Sequence, residues 1–95
     1  MSETTTPLAV PTVHLNGTSR RELLEQICTA LTALQEAEAA VRRASPHGRD
    51  YYPQGEDAIG EALRQHTDRL LRLHAIYVEL ETIGERICFG GTKAA

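Results

Sequence analysis

The sequence predicts an all-α protein, an antiparallel helical hairpin with an extended N-terminal arm, completed by oligomerisation. Three observations carry this expectation. Two stretches place apolar residues at steps of three and four, the spacing that gathers them on one helix face. A segment dense in Pro, Gly and polar residues separates the two stretches and breaks helical continuity. Finally, the chain has only 95 residues. Two helices make a seam rather than a core, so a third layer must come from the arm or from another copy. The expected organisation is an arm over 1–13, a helical-hairpin domain over 14–89 and a frayed tail over 90–95.

Pro7 and Pro11 exclude a continuous helix in the arm. Its threonine-rich start reads as disordered, while Leu8, Val10, Val13 and Leu15 give its later part apolar surface to bury. Asn16-Gly17 then predicts a turn. Ser19 followed by Glu22 fits a capping box, which satisfies free N–H groups at a helix start. The first helix is expected over 19–44, with Leu24, Ile27, Leu31, Leu34 and Val41 on its seam and Glu38 breaking the rhythm. Pro46 and Gly48 end it.

The second helix is expected over 56–88. Its seam reads Ile59, Leu63, His66, Leu70, Leu73, Tyr77, Leu80, Gly84 and Ile87, a heptad pattern that packs helices at a shallow left-handed crossing. Ile76 and Ile83 widen the apolar face beyond what one partner helix covers. Folded back from the loop, the last turns of this helix are expected to pass beyond Ser19 and to lie beside the arm. Across the seam, Glu38 and His66 are expected within about one turn of each other, as a buried polar pair that fixes register.

Composition narrows the function classes. Apolar residues make up 41% and charged residues 24%, as in a water-soluble globular protein. The net charge of -3 argues against extended nucleic-acid binding, which needs a positive surface. No apolar run approaches the ~20 residues of a membrane span. The N-terminus lacks the basic region and apolar core of a secretion signal. Cys28 would face residues near position 72 in a hairpin, and Cys88 would sit ~24 Å further along at 1.5 Å per residue. A disulfide needs Cα atoms within roughly 7 Å, so both thiols are expected free and buried, in a reducing compartment.

No catalytic constellation emerges. There are no paired acids at a defined separation, no nucleophile with an evident neighbouring base, and no metal-ligand set. His66 and His74 are eight apart rather than the i, i+4 of a helical zinc site. The chain is therefore expected not to be an enzyme and to carry no cofactor or metal.

Two polar segments are the candidate binding elements. The first comprises His14, Leu15, Asn16, Gly17, Thr18, Ser19 and Arg20. A turn and a helix cap account for it structurally. The same atoms suit an anion, because a helix start presents free N–H groups and partial positive charge. The spacing is not that of a phosphate-cradling GxxxxGK[ST] loop.

The second segment runs from Ser45 to Gly55 and holds His47, Arg49, Asp50, Tyr51, Tyr52 and Gln54. Its length exceeds the two to eight residues common between packed helices. Tyrosines capping the open end of the hairpin, with Arg49 and Asp50 satisfying the backbone, account for it structurally. In the functional reading Tyr51 or Tyr52 stacks on a flat ligand and Arg49 pairs with its phosphate or carboxylate. Arg42, Arg43 and Arg64 add positive charge at the same end. In one hairpin the two segments would lie ~35 Å apart for a helix of this length. They would meet only between copies packed antiparallel or head to tail.

The pair of segments, His14 to Ser19 before a helix and Gly48-Arg49-Asp50-Tyr51-Tyr52 between two helices, resembles a group of short helical proteins of tailed phages and their prophages. The resemblance covers about residues 11 to 88 and rests on the polar segments. It implies a phage accessory protein acting in the cytoplasm of a bacterial host. Within that context, one role is sequestration of a nucleotide signal of host antiviral defence. The expected partners are then the chain itself and a nucleotide-derived small molecule, held by Arg49, Arg20 and the N–H groups of Gly17 to Ser19. Tyr51 or Tyr52 would stack on the base, and His47, Asn16 or Gln54 would read its edge. The alternatives are a protein–protein adaptor or inhibitor of a host protein, or a small virion-assembly component.

Overall fold

A computed structural model describes residues 7–89. It is all-helical among those residues, as expected. Helix α1 spans Arg20–Arg43 and helix α2 spans Ala58–Phe89, joined by two short 3-10 turns at Gly48–Asp50 and Tyr52–Gln54. The threonine-rich start and the tail over 90–95 lie outside the described residues, and no helix forms between 7 and 19. No helix among the described residues is long and apolar enough to cross a membrane.

The chain divides into two compact units. One contains the described residues up to Leu31 and from Val78 on, and the other is Thr32–Tyr77. In the first unit, Leu23, Leu24, Ile27, Ala30 and Leu31 of α1 are half-buried, as are Leu80, Ile83 and Gly84 of α2. Ile87 is the most buried large side chain, at 1% exposure. The two helix segments run antiparallel. Arg20 Nε donates to the Ile87 carbonyl at 3.0 Å, and a Cβ on Gly84 would stand 3.2 Å from Ile27 Cγ2. The end of α2 is therefore level with the start of α1, not beyond it. Arm residues Leu8, Val10 and Val13 are half-buried in this unit. Leu15 is instead 97% exposed, because it sits in the turn closed by the Gly17 N–H donating to the His14 carbonyl.

In Thr32–Tyr77 the segments are again antiparallel. His66 Nε2 lies 2.8 Å from the Val41 carbonyl, Glu38 Oε2 lies 3.5 Å from His74 Nδ1, and Gln35 Nε2 donates to Tyr77 Oη at 3.2 Å. Glu38 and His66 thus do not pair with each other. The sequence places the hairpin's fold at the middle of the connection. The actual register brings Val41 opposite His66, so the first two turns of α2 extend past the last turn of α1. Within this unit the connection is left to cover those turns, and its Pro46 and Tyr51 are half-buried. A second departure lies in the same turns: Ala62 is buried at 8% exposure while Leu63 is 43% exposed. From His66 to Ile87 the expected heptad seam stands.

Gly55, which closes the second 3-10 turn, has φ 119 and ψ 165, a region only glycine occupies without strain. The thiols also depart from expectation. Cys28 and Cys88 are free but exposed. Each directly follows a seam residue, Ile27 or Ile87, and a helix turns about 100° per residue, which carries the thiol out of the seam.

Replacing Ile87 with Ala is expected to lower unfolding free energy by about 2–4 kcal/mol, read as a shifted urea midpoint at constant slope. Gly55→Ala is expected to cost about 1–3 kcal/mol through backbone strain alone.

Candidate functional site

The first polar segment is built around the start of α1. The Glu22 N–H donates to Ser19 Oγ at 3.1 Å, and the Ser19 hydroxyl in turn lies 3.4 Å from Glu22 Oε1. One half of the expected capping box is therefore formed: Ser19 caps the Glu22 N–H, while the Glu22 carboxylate takes the serine hydroxyl in place of the Ser19 backbone N–H. The Gly17 N–H is consumed by the His14 carbonyl at 3.1 Å, so it is not open to a ligand as expected. A Cβ on Gly17 would meet the His14 ring at 2.8 Å, which is why the turn takes glycine while that ring lies over it. Among the described residues, the N–H groups of Arg20 and Arg21 remain open. His14, Asn16, Thr18 and Ser19 are exposed, whereas Arg20 is half-buried.

Arg20 has a structural duty that the sequence does not reveal. Its Nε holds the Ile87 carbonyl, one of the last four carbonyls of α2, which have no partner inside their own helix. A cation at that end also complements the helix dipole. The Nη groups stay available. Beside them, Arg20, Arg21, Leu24, Glu25 and Cys28 line an open groove of about 570 Å³. Leu24, Glu25 and Cys28 were not among the expected site residues. They follow from helical spacing once the arginines are placed.

The second segment presents a different chemistry. Its two 3-10 turns are closed by Asp50 N–H to the His47 carbonyl at 2.9 Å and Gln54 N–H to the Tyr51 carbonyl at 2.9 Å. Tyr51 is half-buried and anchors the loop, while Tyr52 is 75% exposed. Arg49 Nη1 lies 3.2 Å from His47 Nδ1 and 3.3 Å from its Nε2. A nitrogen nearly equidistant from both ring nitrogens cannot lie in the imidazole plane without colliding with the carbon between them. It therefore sits over the ring face. Among the described residues no carboxylate pairs with Arg49, so the rest of its guanidinium faces solvent. His47, Asp50 and Gln54 are exposed. The structure thus gathers His47 and Arg49 in contact, with Tyr52 exposed at the start of the next turn of the same loop.

A third cluster lies within Thr32–Tyr77. His74 and Tyr77 stack with ring centroids 6.0 Å apart and planes 7° apart. With Gln35 and Glu38 they line a small cleft of about 100 Å³. Glu38 Oε2 is buried with no hydrogen-bond partner, because its approach to His74 at 3.5 Å is an ion-pair distance without hydrogen-bond geometry. Arg42, Thr67, Leu70, Leu71 and His74 line a further groove of about 360 Å³. Among the described residues no group of three or more His, Cys, Asp or Glu side chains is placed to hold a metal ion.

No protein-family model matches the chain, and neither a curated protein nor a solved structure matches it.

Ser19→Ala removes the cap and is expected to cost about 1 kcal/mol of stability, measured by thermal or urea unfolding. Ser19→Asp is expected to retain most of it, because a carboxylate can accept the same Glu22 N–H.

Proposed function

We propose that the chain is a non-enzymatic, self-associating phage accessory protein that binds and withdraws a small phosphorylated, flat ligand of nucleotide type. In a bacterial host such a ligand would be a signal of antiviral defence. The observation that carries this reading is the Arg49 guanidinium, seated over the His47 ring, unpaired with any described carboxylate, on the same loop as the exposed ring of Tyr52. A fixed cation and a free aromatic face together suit a phosphate attached to a heteroaromatic ring. His47, Asp50 and Gln54 supply hydrogen-bonding groups for the ring's edge. The start of α1, with the open N–H groups of Arg20 and Arg21, supplies a second anion-favouring element. In this reading the complete site is composite, formed where copies bring the two segments together.

Isothermal titration of the full chain against cyclic and linear nucleotides tests the proposal. Binding is expected for at least one of them, and Arg49→Ala and Tyr52→Ala should each weaken it by roughly tenfold or more, the scale of one charge-assisted contact or one stacked base. Absence of heat and of thermal stabilisation across the panel would overturn it. A second reading, a protein–protein adaptor, is favoured by Leu71, 63% exposed on α2. The two separate by mass action. A sequestering protein gains melting temperature with a small ligand, whereas an adaptor gains it only with its protein partner.

A further inference from the structure

The cleft within Thr32–Tyr77 is lined by Gln35 and Glu38 of α1 and by His74 and Tyr77 of α2. The two residues of each pair are three apart, so each pair shares one face of its helix. Glu38 Oε2 is buried there with no hydrogen-bond partner, 3.5 Å from His74 Nδ1. Among the described residues no lysine or arginine pairs with this carboxylate.

The separation of the two atoms discriminates between ways of satisfying them. A charge-assisted hydrogen bond between a ring nitrogen and a carboxylate closes to about 2.7–2.9 Å, so 3.5 Å is too long for a direct bond. It is too short for a bridging water. A water about 2.8 Å from both atoms would hold them at an angle of about 77°, far narrower than the tetrahedral spread of its own bonds. A metal ion is different. Zinc lies about 2.0–2.1 Å from a histidine nitrogen and about 2.0–2.2 Å from a carboxylate oxygen, and those lengths place the two ligands at an angle of about 110–120°. That is the angle between neighbouring ligands of a four-coordinate ion.

The imidazole is already held. It stacks on Tyr77 with ring centroids 6.0 Å apart and planes 7° apart, and Tyr77 Oη accepts from Gln35 Nε2 at 3.2 Å. Each helix therefore supplies one ligand and one support, and supports of this kind orient ligating side chains. The His74 side chain is 62% exposed and that of Glu38 17%, so solvent reaches the histidine side of the pair.

We propose that Glu38 Oε2 and His74 Nδ1 together ligate a divalent d-block cation of the zinc or nickel type, with water in its remaining positions. Mixed nitrogen and oxygen donors suit these ions, whereas magnesium and calcium take oxygen. His74 binds through a bare Nδ1, with its proton on Nε2. The ion gives the buried oxygen the partner it lacks and ties α1 to α2 within this unit. Histidine spacing along the chain does not disclose the site, because its ligands come from different helices. The inference goes beyond the nucleotide reading and does not rest on it. Neither ligand belongs to the loop, and the metal is titrated without nucleotide.

Isothermal titration of the full chain with zinc and with nickel tests it, in a C28S/C88S background, because both thiols are exposed and thiolates bind zinc on their own. Circular dichroism reports that each variant is folded. One ion per chain should bind, and melting temperature should rise with metal concentration, because folding brings the ligands of the two helices together. His74→Ala should abolish binding. Glu38→Gln, which keeps the shape and removes the charge, should weaken it at least about tenfold. His14→Ala should leave it unchanged. Paramagnetic cobalt should broaden the ring resonances of His74 before those of His14 and His47. Binding retained in His74→Ala is adventitious binding elsewhere and would overturn the proposal, as would no binding up to millimolar metal.

Discussion

Each helix ends on a carbonyl that the other helix holds, and the packing of both units depends on this constraint. In the unit that contains the start of α1, Arg20 Nε captures the carbonyl of Ile87. In Thr32–Tyr77, His66 Nε2 captures the carbonyl of Val41. Ile87 and Val41 are each the third residue from the end of their helix. The Ile87 carbonyl is one of the last four of α2, which lack a partner in their own helix; the Val41 carbonyl already accepts the Ala44 N–H at 3.0 Å, and His66 adds a second bond to its other lone pair. Because the Val41 carbonyl accepts, the His66 ring must carry its proton on Nε2. The seam places these residues, and the captured carbonyls fix which turn of one helix meets which turn of the other.

The seam itself is thin. Among the described residues, Ala62 and Ile87 are the buried apolar side chains, and α1 buries none fully. Most seam residues are half-buried, which yields only part of the ~1.5–3 kcal/mol available from full burial of an aliphatic side chain. The middle of the seam is also polar. Glu38 buries an oxygen that no donor satisfies, beside the stacked rings of His74 and Tyr77. An unsatisfied buried acceptor costs about 1–3 kcal/mol. A hairpin with so little buried apolar surface, and a carboxylate oxygen met only by His74 at ion-pair distance, has a thin margin of stability.

Much of this was legible in the sequence, and the rest was not for identifiable reasons. The heptad rhythm from His66 to Ile87 is visible because every step of three or four lands on a residue that is apolar or small, and Ser19 with Glu22 announces the helix start through local chemistry. The register was not legible. It depends on how far the Ser45–Gly55 connection folds over α2, and no local pattern encodes that distance. In the same turns Ala62 is buried and Leu63 is not, so a preference for the larger apolar residue misleads there. Apolar neighbours alone do not place Cys28 and Cys88; their phase does, since each follows a seam residue by a single step and so turns outward. Arg20 looked like a ligand residue because its carbonyl partner is 67 residues away. Of the candidate site, the two segments were legible as polar exceptions between plain helices, but which of their donors the fold itself consumes was not.

That consumption ranks the two segments. Helix ends attract function because they carry unsatisfied backbone groups, yet a stable fold competes for the same groups. At the start of α1 the competition has largely been settled in favour of structure: the Gly17 N–H serves the turn, the Glu22 N–H serves the Ser19 cap, and Arg20 Nε serves α2. In the connecting loop the 3-10 turns are closed by backbone groups alone. The side chains of Arg49 and Tyr52 are therefore spared, one resting on the His47 ring and the other largely in solvent. A ligand reaching the loop meets groups whose hydrogen bonds and ring face need not be taken from the fold. A ligand reaching only the helix start would meet mostly groups already in use. If one segment dominates recognition it should be the loop, with the start of α1 contributing charge rather than specificity.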